Sequence, residues 1–152
     1  MINQELKSKI EQLAPQALIE EKQYLTITVA KEEFFGLAKK IKEDKQLSFD
    51  FLFNITGVDY GTELGASYFL TSTEFKHTII LKTSTADRVN TQLDSVCSLW
   101  KAADFHEREI YDLMGIKFKN HPDMRRIFLE ETWEGHPLRK DYKDEINIIE
   151  RN

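Results

Sequence analysis

The chain has 152 residues, enough for one domain with a real hydrophobic core. It is 41% hydrophobic and 31% charged, the profile of a soluble globular protein, and its net charge of −5 argues against a dedicated nucleic-acid binder, which needs a basic face. The single cysteine, Cys97, can neither close an internal disulfide nor supply the four thiolates of an ordinary iron–sulfur cluster.

In "MINQELKSKIEQL", Ile2, Leu6, Ile10 and Leu13 fall on one helical face, and Pro15 stops the helix. This N-terminus lacks the apolar core of a signal peptide, and no run is long enough to span a bilayer, so any membrane association is expected to be indirect. "ALIEE" and "QYLTITV" follow as a hairpin, with Leu25, Ile27 and Val29 alternating with Thr26 and Thr28. "KEEFFGLAKKIKEDKQ" returns to helical period, with Phe34, Leu37, Ala38 and Ile41 inward and Glu32 and Glu33 in the first turn. "FDFLFNITGVDYG" places Phe49, Phe51, Phe53 and Ile55 on one side of a strand. "ASYFLTSTEF" and "HTIILKTS" are two further strands. Gly57, Gly61 and Gly65 do not form a dinucleotide fingerprint and read as turn and bulge glycines. The order α-β-β-α-β-β-β predicts an α+β fold, a mixed sheet of about five strands with helices over one face.

From Val89 the pattern changes. "VNTQLDSVCSLW" and "ADFHEREIYDLMG" read as two short helices, the second with a capping box from Asp104 to Glu107 and Gly115 as its stop. Residues 117–152 have no clean period, yet Phe118, Phe128, Trp133 and Tyr142 argue against plain disorder. The expected organisation is a globular domain over 1–116 and an extended partner-binding arm over 117–152.

The second helix is where chemistry would lie. Ala102, Phe105, Ile110, Leu113 and Met114 define its expected apolar face. Arg108 stands four residues from both Asp104 and Asp112, the spacing of helical ion pairs. Glu109 falls among the apolar positions, so it is expected to be part-buried and to need an Arg partner. A metal site would use His106, Glu109 and His121, with His136 more distant, but the HExxH pattern is absent because position 110 is Ile. No G-x-S-x-G nucleophile motif exists, and Glu107 and Glu109, two apart on a helix, point away from each other. The arm carries Lys117, Lys119, Arg125, Arg126, Arg139 and Lys140. From the residues alone, this is a protein-binding module more than an enzyme.

The run "HEREIYDLMGIKFKNHPDMRRIFLEETWEGHPLRKDY" resembles the signature of the 30-kDa-type C subunit of respiratory NADH:quinone oxidoreductase, complex I. The residues that carry it are Glu107, Arg108, Glu109, Asp112, Leu113, Met114, Gly115, His121, Pro122, Arg125, Arg126 and Ile127, then "GHPLRKDY" over 135–142. Phe105, Met114 and Phe128 depart from the usual residues, all within apolar chemistry. The resemblance implies a cofactor-free subunit of the quinone-proximal module, with FMN and Fe-S clusters held by partner subunits. It implies the D subunit as chief partner, with B and I nearby, on the cytoplasmic side of the inner membrane. Electrons from NADH would reach quinone through these neighbours, coupled to proton translocation. The implied interface residues are Glu107, Arg108, Glu109, Asp112, His121, Arg125, Arg126, Trp133, His136, Arg139 and Asp141. A related subunit of a membrane-bound hydrogenase or formate hydrogenlyase is the alternative. There the domain is often fused to the large subunit, whereas this sequence ends at Asn152, which favours complex I. A stand-alone metal-dependent enzyme is the alternative of another class.

Overall fold

The computed structural model describes residues 3–143, so Ile2 and the arm beyond Lys143 lie outside the described residues. Helix α1 (Asn3–Leu13) buries Leu6 and Ile10, as its spacing predicts. Strands β1 (Leu18–Glu21) and β2 (Leu25–Thr28) form the expected antiparallel hairpin. Helix α2 (Lys31–Glu43) buries Phe34, Leu37, Ala38 and Ile41, the four positions of its apolar stripe. Strands β3 (Phe51–Asp59), β4 (Leu64–Thr71) and β5 (Thr78–Thr85) form an antiparallel meander. β5 runs parallel to β2, which closes a mixed five-stranded sheet in the order β1-β2-β5-β4-β3.

The helices share one face of this sheet. Phe34 of α2 packs 4.6 Å from the ring of Tyr68, and Tyr68 sits opposite Ile55 in the ladder. Two residues on from Ile55, Gly57 faces Ile110 and Met114 of α3 (Ala103–Met114). A Cβ at Gly57 would stand 2.6 Å from the Met114 sulfur, and one at Gly65 would stand 2.5 Å from the Thr83 carbonyl oxygen. Both glycines therefore lie inside strands as close-approach positions. Of the three expected as turn and bulge glycines, Gly61, at φ 88°, serves a turn.

One strand corrects its expected facing. The β3–β4 register shifts between Leu52 and Asn54, a bulge that inserts Phe53. Leu52 and Ile55 consequently face the core, while Phe51 and Phe53 are 49% and 42% exposed. Phe51, Phe53 and Phe69 form an aromatic row on the outer face, with centroids 6.4 and 5.8 Å apart. A strict period of two predicts the wrong side because the extra residue inverts the alternation.

The segment expected as the first of two late helices is instead a short strand and a turn. β6 (Gln92–Asp94) pairs in parallel with β7 (Lys117–Lys119), and a turn follows at 97–99. The β6–β7 ribbon places Ser95 and Val96 beside α3. Among the described residues, none of the helices is long and apolar enough to cross a membrane.

Candidate functional site

Helix α3 turns its faces differently from its apolar pattern. Phe105, expected inward, is 67% exposed, and Glu109, expected part-buried, is exposed. The fully buried carboxylate is Glu107. Its side chain accepts hydrogen bonds from Ser95 Oγ at 2.5 Å and from Val96 N at 3.1 Å. The expected capping box does not form: Ala102 caps the helix with no side-chain bond, and Glu107 reaches the β6 turn instead. Burial pushes the Glu107 carboxyl up to about 7, against the lowering bonds from Ser95 and Val96. Burial, then the Glu107 carboxylate, pushes the neighbouring Cys97 thiol up to about 11, so that thiol is a poor nucleophile at neutral pH.

One turn further on, Asp112 is also fully buried, and its surroundings are the opposite. One oxygen accepts the Arg126 guanidinium at 2.9 Å. The other accepts the backbone N–H groups of Ile127, Phe128 and Leu129 at 3.2, 2.7 and 3.1 Å. Burial works to raise this carboxyl, but Arg126 and the three N–H groups outweigh it and hold it below the usual range. Arg126 also donates to the carbonyls of Asp112, Trp133 and Gly135. These bonds fold the arm back along α3 and pin it at both ends of a tight bend.

The remaining signature residues complete that closure. Arg108 pairs with neither Asp104 nor Asp112, as helical spacing would have it. It donates to the carbonyls of Arg125 and Arg126 and lies over the Phe105 ring. Arg125 pairs on the surface with Asp123, not with the Glu-Arg-Glu run. Among the described residues, Glu109 has no ion-pair partner. His136 contacts the Asp112 carbonyl at 3.0 Å, and its ring covers Gly115, where a Cβ would stand 2.6 Å away. Gly115 ends α3 at φ 75°, the left-handed stop its sequence position suggests. Trp133 contributes its carbonyl to Arg126 and leaves its ring 39% exposed.

The far end of the described arm is held by a second clamp, of which sequence reading named Arg139 and Asp141 and missed Arg88 and Asp59. Arg88 makes a two-pronged contact to Asp59 at 2.7 and 2.9 Å. Asp59 also accepts Lys140 N, and Arg139 donates to the Arg88 carbonyl and to Asp141. The Arg88 hydrogen bond chiefly holds the Asp59 carboxyl far below the usual range. No local pattern marks this pair, because its members lie 29 residues apart, Asp59 at the end of β3 and Arg88 in the loop after β5. The DY of "GVDYG" and the DR of "TADRVN" look like ordinary turn residues.

The expected metal trio of His106, Glu109 and His121 is not brought together. The described group with metal-ligand chemistry is Cys97, Asp104 and His121, whose donor atoms lie within 4.8 Å of one another. Its hydrogen bonding does not suit a resident ion. His121 Nδ1 accepts the Asp123 N–H at 2.9 Å, which leaves the ring proton on Nε2. Nε2 faces Asp104, 3.1 Å from its carboxylate. A metal would need that lone pair free.

Known proteins resemble this chain in sequence and in fold. Residues 27–146 match the family of the respiratory-chain NADH dehydrogenase 30 Kd subunit. The chain belongs to that family. It is 43% identical over 124 residues to the C/D subunit of the NADH-quinone oxidoreductase of Phocaeicola vulgatus, covering 81% of this chain and 24% of that protein. It thus spans about a quarter of the length of such C/D relatives. It is 37% identical over 145 residues to the C subunit of the NADH-quinone oxidoreductase of Roseiflexus castenholzii, covering 91% of this chain and 83% of that one. The fold is shared with a chain of the membrane-bound sulfane sulfur reductase, an archaeal respiratory membrane complex, at TM-score 0.79 and 23% identity, over 94% of this chain and 86% of that one. Since a relative four times as long also belongs to an NADH-quinone oxidoreductase, fusion does not separate the complex I reading from the hydrogenase reading.

Proposed function

We propose that this family member is a structural subunit of a membrane-associated NADH:quinone oxidoreductase, with no catalytic group of its own. Its relatives are named as C or C/D subunits of that enzyme. Supporting this, the acids that look catalytic are spent inside the chain. Glu107 holds the β6 turn, and Asp112 holds the arm. Among the charged and polar residues that the closed arm leaves outward stand three large apolar side chains, Phe128 (64%), Leu138 (60%) and Trp133 (39%), and α3 adds Phe105 (67%). Several large exposed apolar side chains on one helix and the arm that folds against it favour a protein interface. The single observation that carries the reading is the Asp112–Arg126 knot, which fixes Phe128 by bonding its backbone N–H while its ring points to solvent.

In this reading the D subunit of the complex covers the arm, with B and I nearby, on the cytoplasmic side of the membrane. FMN and the clusters reside in partners, which agrees with one high-pKa thiol in this chain. Electron transfer from NADH to quinone, coupled to proton translocation, belongs to the assembly. The test is purification of the tagged chain from detergent-solubilised membranes. A large assembly with NADH:quinone reductase activity is expected, and Phe128→Asp should release the chain from it while leaving the free chain folded. Recovery of wild type as a lone chain, or normal assembly of Phe128→Asp, would contradict the proposal.

A further inference from the structure

The sheet ends in two edges, and they are finished differently. At one edge, β1 is four residues long and carries Glu20 and Glu21, which pair with Lys22 and Lys7. A short, charged edge discourages further strands. At the other edge, β3 runs nine residues, with no charged side chain from Phe51 to Val58. The bulge at Phe53 interrupts its start. From Asn54 to Asp59 the ladder to β4 is regular, a stretch of about 20 Å.

The turn fixes which main-chain groups face outward. Tyr60 N donates to the Glu63 carbonyl at 2.8 Å, so these two residues form a hydrogen-bonded pair. The pairs behind them alternate: Val58–Gly65 and Thr56–Ser67 bond across the ladder, whereas Asp59–Leu64, Gly57–Ala66 and Ile55–Tyr68 do not. The N–H and C=O groups of Ile55, Gly57 and Asp59 therefore point away from β4. Among the described residues, none of them has a hydrogen-bond partner. Gly57 remains part-exposed although Ile110 and Met114 lie against its inner side, and a glycine has only main chain to expose. A donor and an acceptor at every second residue is the pattern that another extended main chain matches.

Two further observations define the occupant. Beside this edge the outer face carries Phe51, Phe53 and Phe69, so the side chains that an added strand turns to that face meet apolar neighbours. The Asp59 end adjoins the arm, because Asp59 Oδ2 accepts Lys140 N, two residues beyond the exposed Leu138. The edge thus continues the arm's docking face.

We infer that the Asn54–Asp59 edge of β3 receives an extended strand of a neighbouring subunit, which bonds to the N–H and C=O groups of Ile55, Gly57 and Asp59 and turns apolar side chains toward the phenylalanine row. This rests on the reading of the chain as a subunit, and it gives that partner an extended segment as part of its contact.

Amide exchange tests it, read residue by residue by fragmentation mass spectrometry in the isolated full chain and in the detergent-solubilised membrane assembly. Thr56 and Val58, bonded to β4, should exchange slowly in both. Ile55, Gly57 and Asp59 should exchange fast in the isolated chain and at least about tenfold more slowly in the assembly. Cells that express differently tagged wild-type and variant chains together give a second readout, the tag ratio in the assembly. Thr56→Lys sets an ammonium beside the edge from an exposed position. Its share should fall about tenfold while its melting temperature stays within about 2 °C of wild type. Thr56→Val, uncharged and β-branched, should incorporate as wild type does. The inference is overturned if the three edge amides stay fast in the assembly, or if a folded Thr56→Lys chain incorporates equally. Slow exchange of all three in the isolated monomer would also overturn it, by placing another part of this chain on the edge. Slowing that follows self-association of the isolated chain would overturn it in favour of a second copy. Should wild type itself enter no membrane assembly, the subunit reading fails, a result distinct from an assembly in which the edge amides stay fast.

Discussion

The sheet layer and the arm are built by different forces. In the layer, Phe34, Ile55, Tyr68, Leu70, Ile79 and Leu81 pack in a continuous apolar core, and each contributes by leaving water. In the arm, residues 120–143 form neither helix nor strand, and what holds them is a small set of buried charged groups with aimed hydrogen bonds. Apolar packing degrades gradually when one residue is trimmed. A buried ion with several partners fails as a unit, because removing one member leaves the others desolvated and unpaired. The difference explains why the arm can be specific in shape without a core of its own, and why Phe128, Trp133 and Leu138 can stay exposed without collapsing inward.

The sharpest way to break this contrast is Asp112→Ala. It strands the Arg126 guanidinium and three backbone N–H groups, and should cost about 3–5 kcal/mol in chemical denaturation. The arm should release first, seen as new protease cleavage within 120–143 while the sheet persists. An equal cost spread over sheet and arm would mean that the arm is not a separate unit.

Glu107 tests the same contrast from inside the layer, because it is a buried acid without a cation. Its folded value of about 7 lies above the ordinary 4.5 of a glutamate. The folded state therefore binds the proton more tightly than the unfolded state. No penalty exists below the unfolded value; it grows as pH rises between the two, and is complete above about 7. Glu107→Gln should match wild type near pH 4 and exceed it by up to about 3 kcal/mol at about pH 8, read from denaturation curves across pH. A flat difference across pH would show that Glu107 titrates normally. Asp112 has the reverse sign: its contribution is present above the usual carboxylate range and is lost as pH falls through its lowered value.

Asp59→Ala should cost less than Asp112→Ala, about 1–3 kcal/mol, and free only the Arg139–Tyr142 end of the arm in hydrogen exchange. Arg125→Ala is the smallest change. Its contact to Asp123 is on the surface, and the melting temperature should not move measurably.

The two regions were also unequally legible. Periodicity found α1, α2, the hairpin and the meander because apolar burial repeats with the element, and it named the buried residues of α2 correctly. It failed at Phe53, where one inserted residue inverted the pattern, and at β6, whose three residues owe their strand pairing to distant β7. On α3 it chose Glu109 over Glu107, since hydropathy cannot foresee that Ser95 and Val96 will satisfy a buried carboxylate. The signature pointed to Asp112, Arg126 and His136 as residues that matter. It did not show that they matter to each other, because the partners of a desolvated charge are set by the folded chain rather than by spacing.

The central claim is that Asp112 organises the arm so that it presents a fixed docking face. Amide hydrogen exchange at Ile127, Phe128 and Leu129 tests it most directly, since those N–H groups bond to the Asp112 carboxylate. The three should be protected in the free wild-type chain and should lose protection in Asp112→Ala, while amides of β4 and β5 stay protected. Rapid exchange of all three in the wild-type chain, or unchanged protection in the variant, would contradict the account.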